Sequence, residues 1–585
     1  MKVTRLCIKN FRGIRFANLF FPDHAVLLGD NNIGKSTVFE ALDLVLGPVR
    51  LNRRPIVDEH DFYNGIYKSD NQPVEICIEA VIVNLNEEQQ RHFADSVEWW
   101  CQDKQELISE LDKVDNNSTL AALRVCFKGY YDAEEDDFTG ATYFSRSLVD
   151  NDTPQFFKKK DKQKCGFLYL RSIRTGSRAL SLEHGSLLDV ILRIKEVRPQ
   201  MWEKTIEELS KRGVASESEL GIVGILENIE ISIKKFVPKE WGGSPHLKIS
   251  NLTREHLRKI ITAFVTTGNS NHSLPFYRQG TGTINMLVLA MLSMIAEAKQ
   301  NVIFAMEEPE TAIPPYAQKR IVHEIQLLSS QTFFTSHSPY VIEEFNLDET
   351  VVLSRNPDGV LNQAKIKLPD SIKPKKYRQD FRRRFCEGLL SRKVLIVEGA
   401  TEAAAMPVVA RRLAELNPNY YVNFEMLGIC VIDAEGDSKL VDLANVYKNL
   451  DKQVFALCDK QMDENKKNIE KAVDKLFMHD QKGFESLVLN NTTQDAINRF
   501  IDSIKWPVNL VAKYPNPKEK SLRALSDYFG DNKGNGAIAD FLAQCMENEI
   551  PDWIKNTCKQ IRLLCDGGND ASIIDAEKEV ASETV

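Results

Sequence analysis

Long apolar runs are missing from this sequence. No stretch of 18 or more apolar residues occurs, so we expect no membrane span. The first residues alternate apolar positions with Lys2, Arg5 and Lys9, and they lack the apolar core of a secretory signal. These absences predict a cytoplasmic protein.

Paired cysteines, sustained heptads and an excess of basic charge are missing as well. The 11 cysteines include no Cys-x-x-Cys pair, which predicts reduced thiols and no zinc ribbon. Without heptads, long coiled-coil arms are not expected. The 75 basic and 83 acidic side chains leave a net charge of −8. This excludes a generally basic surface but allows a local basic channel.

The length and the pattern of the chain predict several α/β domains. A chain of 585 residues with 43% hydrophobic residues exceeds one compact domain. We predict a first domain over residues 1–370, a basic linker over 371–391, and a second domain over 392–585 that ends in a helical region. Residues 87–265 are predicted to form a helical insertion or dimerisation region. The charge runs 134–137 and 158–162 are interpreted as solvated loops of this insertion.

The clearest motif is a glycine-rich loop over residues 29–36, with the sequence GDNNIGKS. It follows the apolar strand 25–28 and precedes an apolar helix, which is the context that a phosphate-binding P-loop requires. Lys35 would reach the β- and γ-phosphates of ATP, and Ser36 would bind Mg²⁺. The predicted ATP-binding residues of this segment are Gly29, Asn31, Asn32, Gly34, Lys35, Ser36 and Thr37.

A second apolar strand ends in the acidic pair Glu307 and Glu308. Glu307 would hold Mg²⁺, and Glu308 would polarise the attacking water. About 30 residues later, His337 follows another apolar strand, where a sensor of the γ-phosphate is expected. We predict that Glu308 and His337 are catalytic in ATP hydrolysis.

A glycine-containing loop around Gly280 and Gly282 precedes a long apolar helix. Such a loop presents backbone N–H groups for phosphate at a helix N-terminus. Its order in the chain makes it a candidate signature loop of an ABC-type ATPase, which completes the ATP site of another subunit. We therefore expect ATP to be bound between the heads of a homodimer or a higher homo-oligomer.

A second group of acids follows the strands near the C-terminal end of the chain. Glu398 follows the apolar strand 394–397, Glu402 lies one helical turn later, and Asp459 follows the strand 454–458. Asp463 and Glu485 come next. Acids at the carboxyl ends of parallel strands lie where α/β sheets bind ligands, so we predict a Mg²⁺ or Mn²⁺ site. Ordinary surface acids at three places near strand ends are the alternative.

Basic residues complete the set of candidates. Lys533, before an apolar helix, could stabilise charge on a scissile phosphate. Seven basic residues ahead of the second domain could contact DNA phosphates, although a solvated linker helix explains them equally well. These residues are Lys373, Lys375, Lys376, Arg378, Arg382, Arg383 and Arg384.

Both groups of motifs together resemble the OLD (overcoming lysogenization defect) family of nucleases. The resemblance also includes residues 8–14, IKNFRGI, and it covers nearly the whole chain. It implies an ABC-type P-loop ATPase head with a helical insertion, followed by a Toprim α/β domain. It further implies metal-dependent cleavage of DNA regulated by ATP, with Glu398, Asp459 and Lys533 catalytic. The family implies a role in bacterial defence against phage, alone or beside a helicase or a retron reverse transcriptase with its nucleic acid.

One departure from the family pattern keeps other functions open. The Toprim pattern carries D-x-D after its second strand, whereas this chain has Gln461 in the second position and Asp463 two residues later. A weaker second metal site follows, together with a requirement for Mn²⁺ or a partner. An ATP-gated DNA-binding scaffold with an impaired Toprim site is therefore one alternative, and a DNA repair ATPase is another.

Overall fold

The computed structural model describes most of the chain. The described residues are 1–48, 56–70, 72–108, 118–150, 153–170, 182, 186–194, 198–211, 222–233, 253–266, 273–298, 302–311, 314–366, 382–532 and 536–565. They fall into two compact units. The first comprises Met1–Val26, Gly34–Ser336 and Asp358–Val360, and the second comprises Leu27–Ile33, His337–Pro357 and Leu361–Val585. The domain boundaries predicted at residues 370 and 392 remain predictions.

The described chain contains both strands and helices, as the α/β prediction requires. The strands are β1 Lys2–Phe11, β2 Ile14–Phe20, β3 His24–Leu28, β4 Lys68–Ser69, β5 Gln72–Pro73, β6 Ile76–Val83, β7 Val97–Cys101, β8 Glu106–Ile108, β9 Thr119–Asp132, β10 Asp137–Phe144, β11 Phe167–Leu170, β12 Phe264–Thr266, β13 Ser273–Pro275, β14 Ile303–Glu307, β15 Gln331–Thr335, β16 Thr350–Arg355, β17 Val360–Lys365, β18 Lys393–Val397, β19 Ile429–Asp433, β20 Gln453–Cys458 and β21 Lys475–Met478.

The helices alternate with these strands through most of the chain. They are α1 Lys35–Leu46, α2 Glu87–His92, α3 Ser147–Asp150, α4 Lys159–Cys165, α5 Leu187–Ile194, α6 Arg198–Lys211, α7 Ile222–Ile233, α8 Arg254–Ile260, α9 Thr281–Ala298, α10 Pro315–Leu328, α11 Pro339–Ile342, α12 Arg382–Leu390, α13 Ala400–Leu416, α14 Asp437–Lys448, α15 Asp463–Ala472, α16 Phe484–Asn490, α17 Gln494–Ser503, α18 Val508–Lys513, α19 Ser521–Asp531, α20 Ala537–Gln544 and α21 Asp552–Cys565. None of the helices in the described ranges is long and apolar enough to cross a membrane.

The first unit combines antiparallel and parallel pairing. β1 pairs antiparallel with β2 and β6, and β6 pairs with β9. β11, β14 and β15 pair in parallel, with Glu307 in register with Thr335. The P-loop helix α1 contacts β1, β6, β9 and β11. Its apolar side chains, including Val38 and Phe39, are fully buried, so the sheet fixes the position of the helix that follows the phosphate-binding loop.

The prediction of a helical insertion over residues 87–265 is wrong for much of residues 97–144, which form strands, whereas the charge run 134–137 lies at the exposed turn between β9 and β10, as predicted. β9 pairs with β6, β7 and β10 and extends the antiparallel part of the sheet. Ala122, Leu123, Val125 and Phe127 of β9 are buried. The charged turn between β9 and β10 raises the average polarity of the region, which hid the apolar face of these strands from the sequence pattern.

The second charge run was also misinterpreted at one position. Lys158 is the N-cap of α4 and residues 159–162 form the start of this helix, in which the side chain of Lys162 is fully buried. Its Nζ donates a hydrogen bond to the Leu44 carbonyl oxygen over 2.6 Å. Carbonyl groups in the last turn of a helix lack intrahelical partners, so this ammonium group satisfies the end of α1. Burial lowers the pKa of Lys162 to about 7.

The second unit contains a four-stranded parallel sheet in the order β19–β18–β20–β21. α13 follows β18 directly and buries Ala405, Met406 and Val409 in an apolar core shared with Leu395 and Phe455. The carboxyl ends of β18 and β20 are neighbours in this sheet. The residues that follow these two strands are therefore brought together by the parallel pairing itself.

The part of the predicted linker that the structure describes contains α12. Phe385, Cys386 and Leu389 of this helix are buried, and the Tyr447 hydroxyl donates to the Phe385 carbonyl oxygen over 3.2 Å. α12 also contacts β19. These residues thus pack on the parallel sheet.

Candidate active sites

The P-loop adopts the backbone conformation that its glycines predict. Gly29 has φ +150°, and a Cβ there would lie 2.7 Å from the Leu353 carbonyl oxygen. Gly34 has φ +119° and immediately precedes α1. Asn32 also has a positive φ, of 67°. Residues other than glycine and asparagine rarely adopt positive φ angles. The residues of the loop therefore suit its backbone conformation.

The predicted P-loop residues differ in their exposure. Lys35 is buried at the first position of α1, whereas Ser36, Asn31 and Asn32 are exposed. The exposed N-terminus of α1 is therefore available to an anion, and its dipole favours one. The roles of these residues in binding ATP and Mg²⁺ stay predictions.

The acidic pair lies where β14 ends. The Tyr169 hydroxyl of the neighbouring strand β11 donates to Glu307 Oε1 over 2.8 Å. Glu308 has a positive φ of 45°, and its backbone N–H donates to the Thr335 carbonyl oxygen over 2.9 Å. The strained backbone at Glu308 directly follows the last residue of β14. Tyr169 was not identified from the sequence, since no local motif marks it.

Two further contacts hold the P-loop helix in place. The Phe39 and Tyr169 rings pack edge to face with centroids 6.0 Å apart. Arg12 forms ion pairs with Glu40 of α1 at 2.7 Å and with Asp61 at 2.8 Å. Tyr169 therefore contacts both α1 and the acidic residue Glu307, and Arg12 ties α1 to the turn after β1.

The other predicted residues of the ATPase head lie at element ends. His337 is exposed two residues after β15. Gly280 is exposed directly before α9, and Gly282 belongs to the first turn of that helix. These positions fit residues that act on a phosphate, while the completion of another subunit's site stays a prediction.

Two of the predicted acids of the second unit, Glu398 and Asp459, are neighbours at the ends of adjacent strands. Glu398 follows β18, and its Oε2 accepts the Asp459 backbone N–H over 3.0 Å. The Asp459 Oδ2 accepts the Gly483 N–H over 2.6 Å. Burial raises the pKa of Glu398, and the charges of Asp459 and Asp437 raise it further. The sequence analysis missed Asp437, the first residue of α14.

Glu402 and Glu485 belong to the same group of acids. The Thr401 hydroxyl donates to Glu485 Oε1 over 3.3 Å. Burial, followed by the charges of Asp459, Glu485 and Glu398, raises the pKa of Glu402 to about 7. Such mutual repulsion is relieved by a proton or by a bound cation. We name Glu398, Glu402, Asp459 and Glu485 the carboxylate cluster.

Asp463 lies apart from the contacts of the carboxylate cluster. It is exposed at the start of α15. Gln461, in contrast, donates its side-chain N–H to Glu398 Oε2 over 3.3 Å and accepts from Asn465 over 3.0 Å. The residue that replaces the second acid of the Toprim pattern is thus built into the cluster as a hydrogen-bond donor.

The remaining basic candidates are only partly described. Lys533, Lys373, Lys375, Lys376 and Arg378 lie outside the described residues. Arg382, Arg383 and Arg384 belong to α12, where Arg384 is exposed.

A cleft is lined by Thr401, Phe529, Asn532 and residues 536–539. Asn532 and Gly536, which flank the segment that contains Lys533, therefore line the same cleft as Thr401.

The carboxylate cluster has the chemistry of a divalent-cation site. Within the described ranges, no group of three or more His, Cys, Asp or Glu side chains is arranged closely enough to hold an ion. The donors themselves fit, because Mg²⁺ and Mn²⁺ prefer carboxylate oxygens. The Oδ1 of Asp459 is also buried and accepts no aligned hydrogen bond. The residues present thus fit a divalent cation by the chemistry of their donor atoms.

His479 is a further residue that the sequence analysis missed. It follows β21, is 2% exposed, and its Nε2 lies 3.0 Å from Asp459 Oδ1. The spacing of residues along the chain gives no signal for this contact, since a lone histidine fits many structural roles.

Comparison with known proteins agrees with this arrangement. Residues 1–342 match the AAA ATPase domain family, and residues 389–460 match the TOPRIM domain of overcoming lysogenization defect protein-like proteins. The Old nuclease of Escherichia phage P2 is 20% identical over 496 residues, which cover 78% of this chain and 77% of the relative. Endonuclease GajA of Bacillus cereus (strain VD045) is 22% identical over 456 residues, or 72% of this chain and 69% of the relative.

A solved structure is also similar to part of the chain. The C-terminal region of the Burkholderia pseudomallei OLD protein aligns with 30% of this chain and 98% of its own length, at 18% identity and a TM-score of 0.23. The family match covers more than half of the sequence, and the second match lies over β18 and the carboxylate that follows it. The chain therefore belongs to the AAA ATPase domain family and carries an OLD-like TOPRIM domain after its ATPase domain.

Proposed function

We propose that this protein is an ATP-regulated, divalent-metal-dependent DNA endonuclease. The carboxylate cluster carries this proposal, because the Asp459 backbone N–H donates to Glu398 where two neighbouring parallel strands end, and Glu402 and Glu485 lie within reach of their charges. The relatives named as the Old nuclease and Endonuclease GajA support a phosphodiester substrate. The OLD-like TOPRIM match supports the same chemistry.

The residues of the carboxylate cluster have different proposed roles in the nuclease site. Glu398 and Asp459 would hold a divalent ion, with Glu402 and Glu485 beside them. Such an ion, when bound, activates a water molecule and stabilises the leaving oxygen of a phosphodiester. Glu402, with its raised pKa, retains a proton near neutral pH until a cation offsets the surrounding charge. Lys533 would neutralise charge on the scissile phosphate.

The ATPase head has its own proposed chemistry. Lys35 would bind the β- and γ-phosphates, and Ser36 and Glu307 would hold Mg²⁺. Glu308 would orient the attacking water, and His337 would contact the γ-phosphate. Gly280 and Gly282 of a second copy would complete the site, so that ATP regulates a homo-oligomer.

We further propose that the protein is a cytoplasmic effector of anti-phage defence, which acts alone or with a helicase or retron partner.

A second candidate function is supported by Gln461. Its amide N–H donates a hydrogen bond to Glu398 Oε2, which also accepts the backbone N–H of Asp459. An ATP-gated DNA-binding scaffold with an impaired Toprim site would show this arrangement. It would hydrolyse ATP and bind DNA without cleaving it.

Cleavage of supercoiled plasmid by the full chain distinguishes the two functions. The reactions contain Mg²⁺, Mn²⁺ or EDTA, each with and without ATP. Metal-dependent nicking that is lost with EDTA and in Glu398→Ala, but kept in the exposed-acid control Glu464→Ala, would support the nuclease. The lanes with ATP, repeated with Lys35→Ala, would show the direction of regulation. ATP hydrolysis without nicking in any metal would favour the scaffold.

A further inference from the structure

The buried imidazole of His479 has no evident structural hydrogen bond. The ring packs edge to face on Trp553, with centroids 5.1 Å apart, and lies 6.3 Å from the Phe484 ring. In the described part of the chain, neither ring nitrogen has an aligned hydrogen-bond partner. A buried polar group without a partner costs free energy. A buried ring of this kind therefore calls for an explanation.

The imidazole ring lies close to an oxygen of the carboxylate cluster. His479 Nε2 lies 3.0 Å from Asp459 Oδ1, and that oxygen is itself buried without an aligned donor. The other oxygen, Oδ2, accepts the Gly483 N–H over 2.6 Å. The segment from His479 to Gly483 therefore reaches both oxygens of one carboxylate, and a small rotation of the ring or the carboxylate would align the open pair.

We propose that His479 is the positioning residue of Asp459 in the nuclease site. Its Nε2–H donates to Oδ1, while the Gly483 N–H donates to Oδ2. Each carboxylate oxygen has two lone pairs, so a donor on each oxygen leaves one lone pair per oxygen for a divalent ion. The pair of donors thus fixes the plane of the carboxylate. This inference rests on the proposed function.

The size of the expected effect follows from comparable sites. Removing a hydrogen-bond partner of a metal ligand lowers metal affinity by about 10- to 100-fold. Trp553 provides a matched control, because it contacts the imidazole ring but offers no donor to Asp459. If the role of His479 were purely structural, removing its contact with Asp459 and removing its contact with Trp553 would have the same effect. Both changes would lower the stability of the fold.

Mn²⁺ binding to the full chain tests the inference. The affinity is measured by titration with electron paramagnetic resonance detection of free Mn²⁺, and the thermal midpoint is recorded for each variant. His479→Ala should weaken binding by about 10- to 100-fold. His479→Gln, whose amide nitrogen takes the place of Nε2, should recover most of the affinity. Trp553→Phe should lower the thermal midpoint but change the affinity by less than about twofold.

The outcomes separate this inference from the proposed function. If Glu398→Ala loses Mn²⁺ binding while His479→Ala keeps it, the positioning role is overturned and the metal site stands. If His479→Gln binds as weakly as His479→Ala at an equal thermal midpoint, the donor role is likewise overturned. Absence of any Glu398-dependent Mn²⁺ binding in the unaltered protein would overturn the nuclease and the positioning role together. Should His479→Ala not fold, the comparison of His479→Gln with Trp553→Phe decides.

Discussion

The side-chain amide of Gln461 donates a hydrogen bond to Oε2 of Glu398, the same oxygen that accepts the backbone N–H of Asp459. An acid at this position could not donate and would add a negative charge to the carboxylate cluster. Gln461 therefore adds no negative charge beside Glu398, and we expect a carboxylate at this position to raise the cation affinity.

Replacing Gln461 with Asp should strengthen the metal site. The additional carboxylate favours a divalent cation, and we expect Mn²⁺ affinity to rise by about tenfold, with nicking supported at lower Mg²⁺ concentration. Mn²⁺ titration and plasmid nicking measure the two effects. Gln461→Asn, which keeps the amide but shortens it, is the control. Unchanged affinity in Gln461→Asp would show that this position does not limit the site.

ATP hydrolysis should depend on Glu308. Glu308→Gln keeps the shape of the side chain but removes the base that orients water, so we expect turnover to fall by about 10²- to 10⁴-fold. Equilibrium binding of ATP should be retained, whereas Lys35→Ala should weaken it. Steady-state phosphate release and nucleotide binding measure these properties. Normal turnover in Glu308→Gln would assign the base to another residue.

Tyr169 should support the metal function of Glu307. Tyr169→Phe preserves the ring that packs on Phe39 but removes the hydroxyl that donates to Glu307. We expect the Mg²⁺ concentration for half-maximal ATP hydrolysis to rise by about tenfold, with little change in thermal stability. A titration of ATPase activity with Mg²⁺ measures it. A lower thermal midpoint with an unchanged Mg²⁺ requirement would indicate a packing role only.

Lys162 should make stability depend on pH. Burial lowers its pKa to about 7 in the folded protein, from an ordinary value of 10.5. Between these values the unfolded chain binds the additional proton, so the free energy of unfolding rises with pH. From pH 7.5 to 9, the unaltered protein should gain about 2 kcal/mol relative to Lys162→Met.

Urea unfolding followed by circular dichroism at both pH values measures this difference. Lys159→Met is a suitable control, since Lys159 lies on the same helix and is only partly buried. Equal pH dependence in the unaltered protein and in Lys162→Met would show that the lysine is not the titrating group.

The local sequence determined the elements whose chemistry is continuous along the chain. A strand, a glycine-rich loop and a helix within about twenty residues define the P-loop. Apolar strands that end in an acid predicted that Glu307, Glu398 and Asp459 lie at the edges of sheets. Parallel pairing then brings the ends of neighbouring strands together, so the proximity of Glu398 and Asp459 could be predicted from the sequence alone.

Only the tertiary structure decided which distant side chains support these motifs. Tyr169 and Glu307 are 138 residues apart in the sequence, and Lys162 and Leu44 are 118 apart. His479 reaches Asp459 because β20 and β21 are adjacent in the sheet. Periodicity reports which face of an element is apolar, but it does not report which polar group from elsewhere fills a buried position. The identity of that polar group depends on how the elements pack. The motifs can therefore be found in the sequence, whereas the contacts that position them require the tertiary structure.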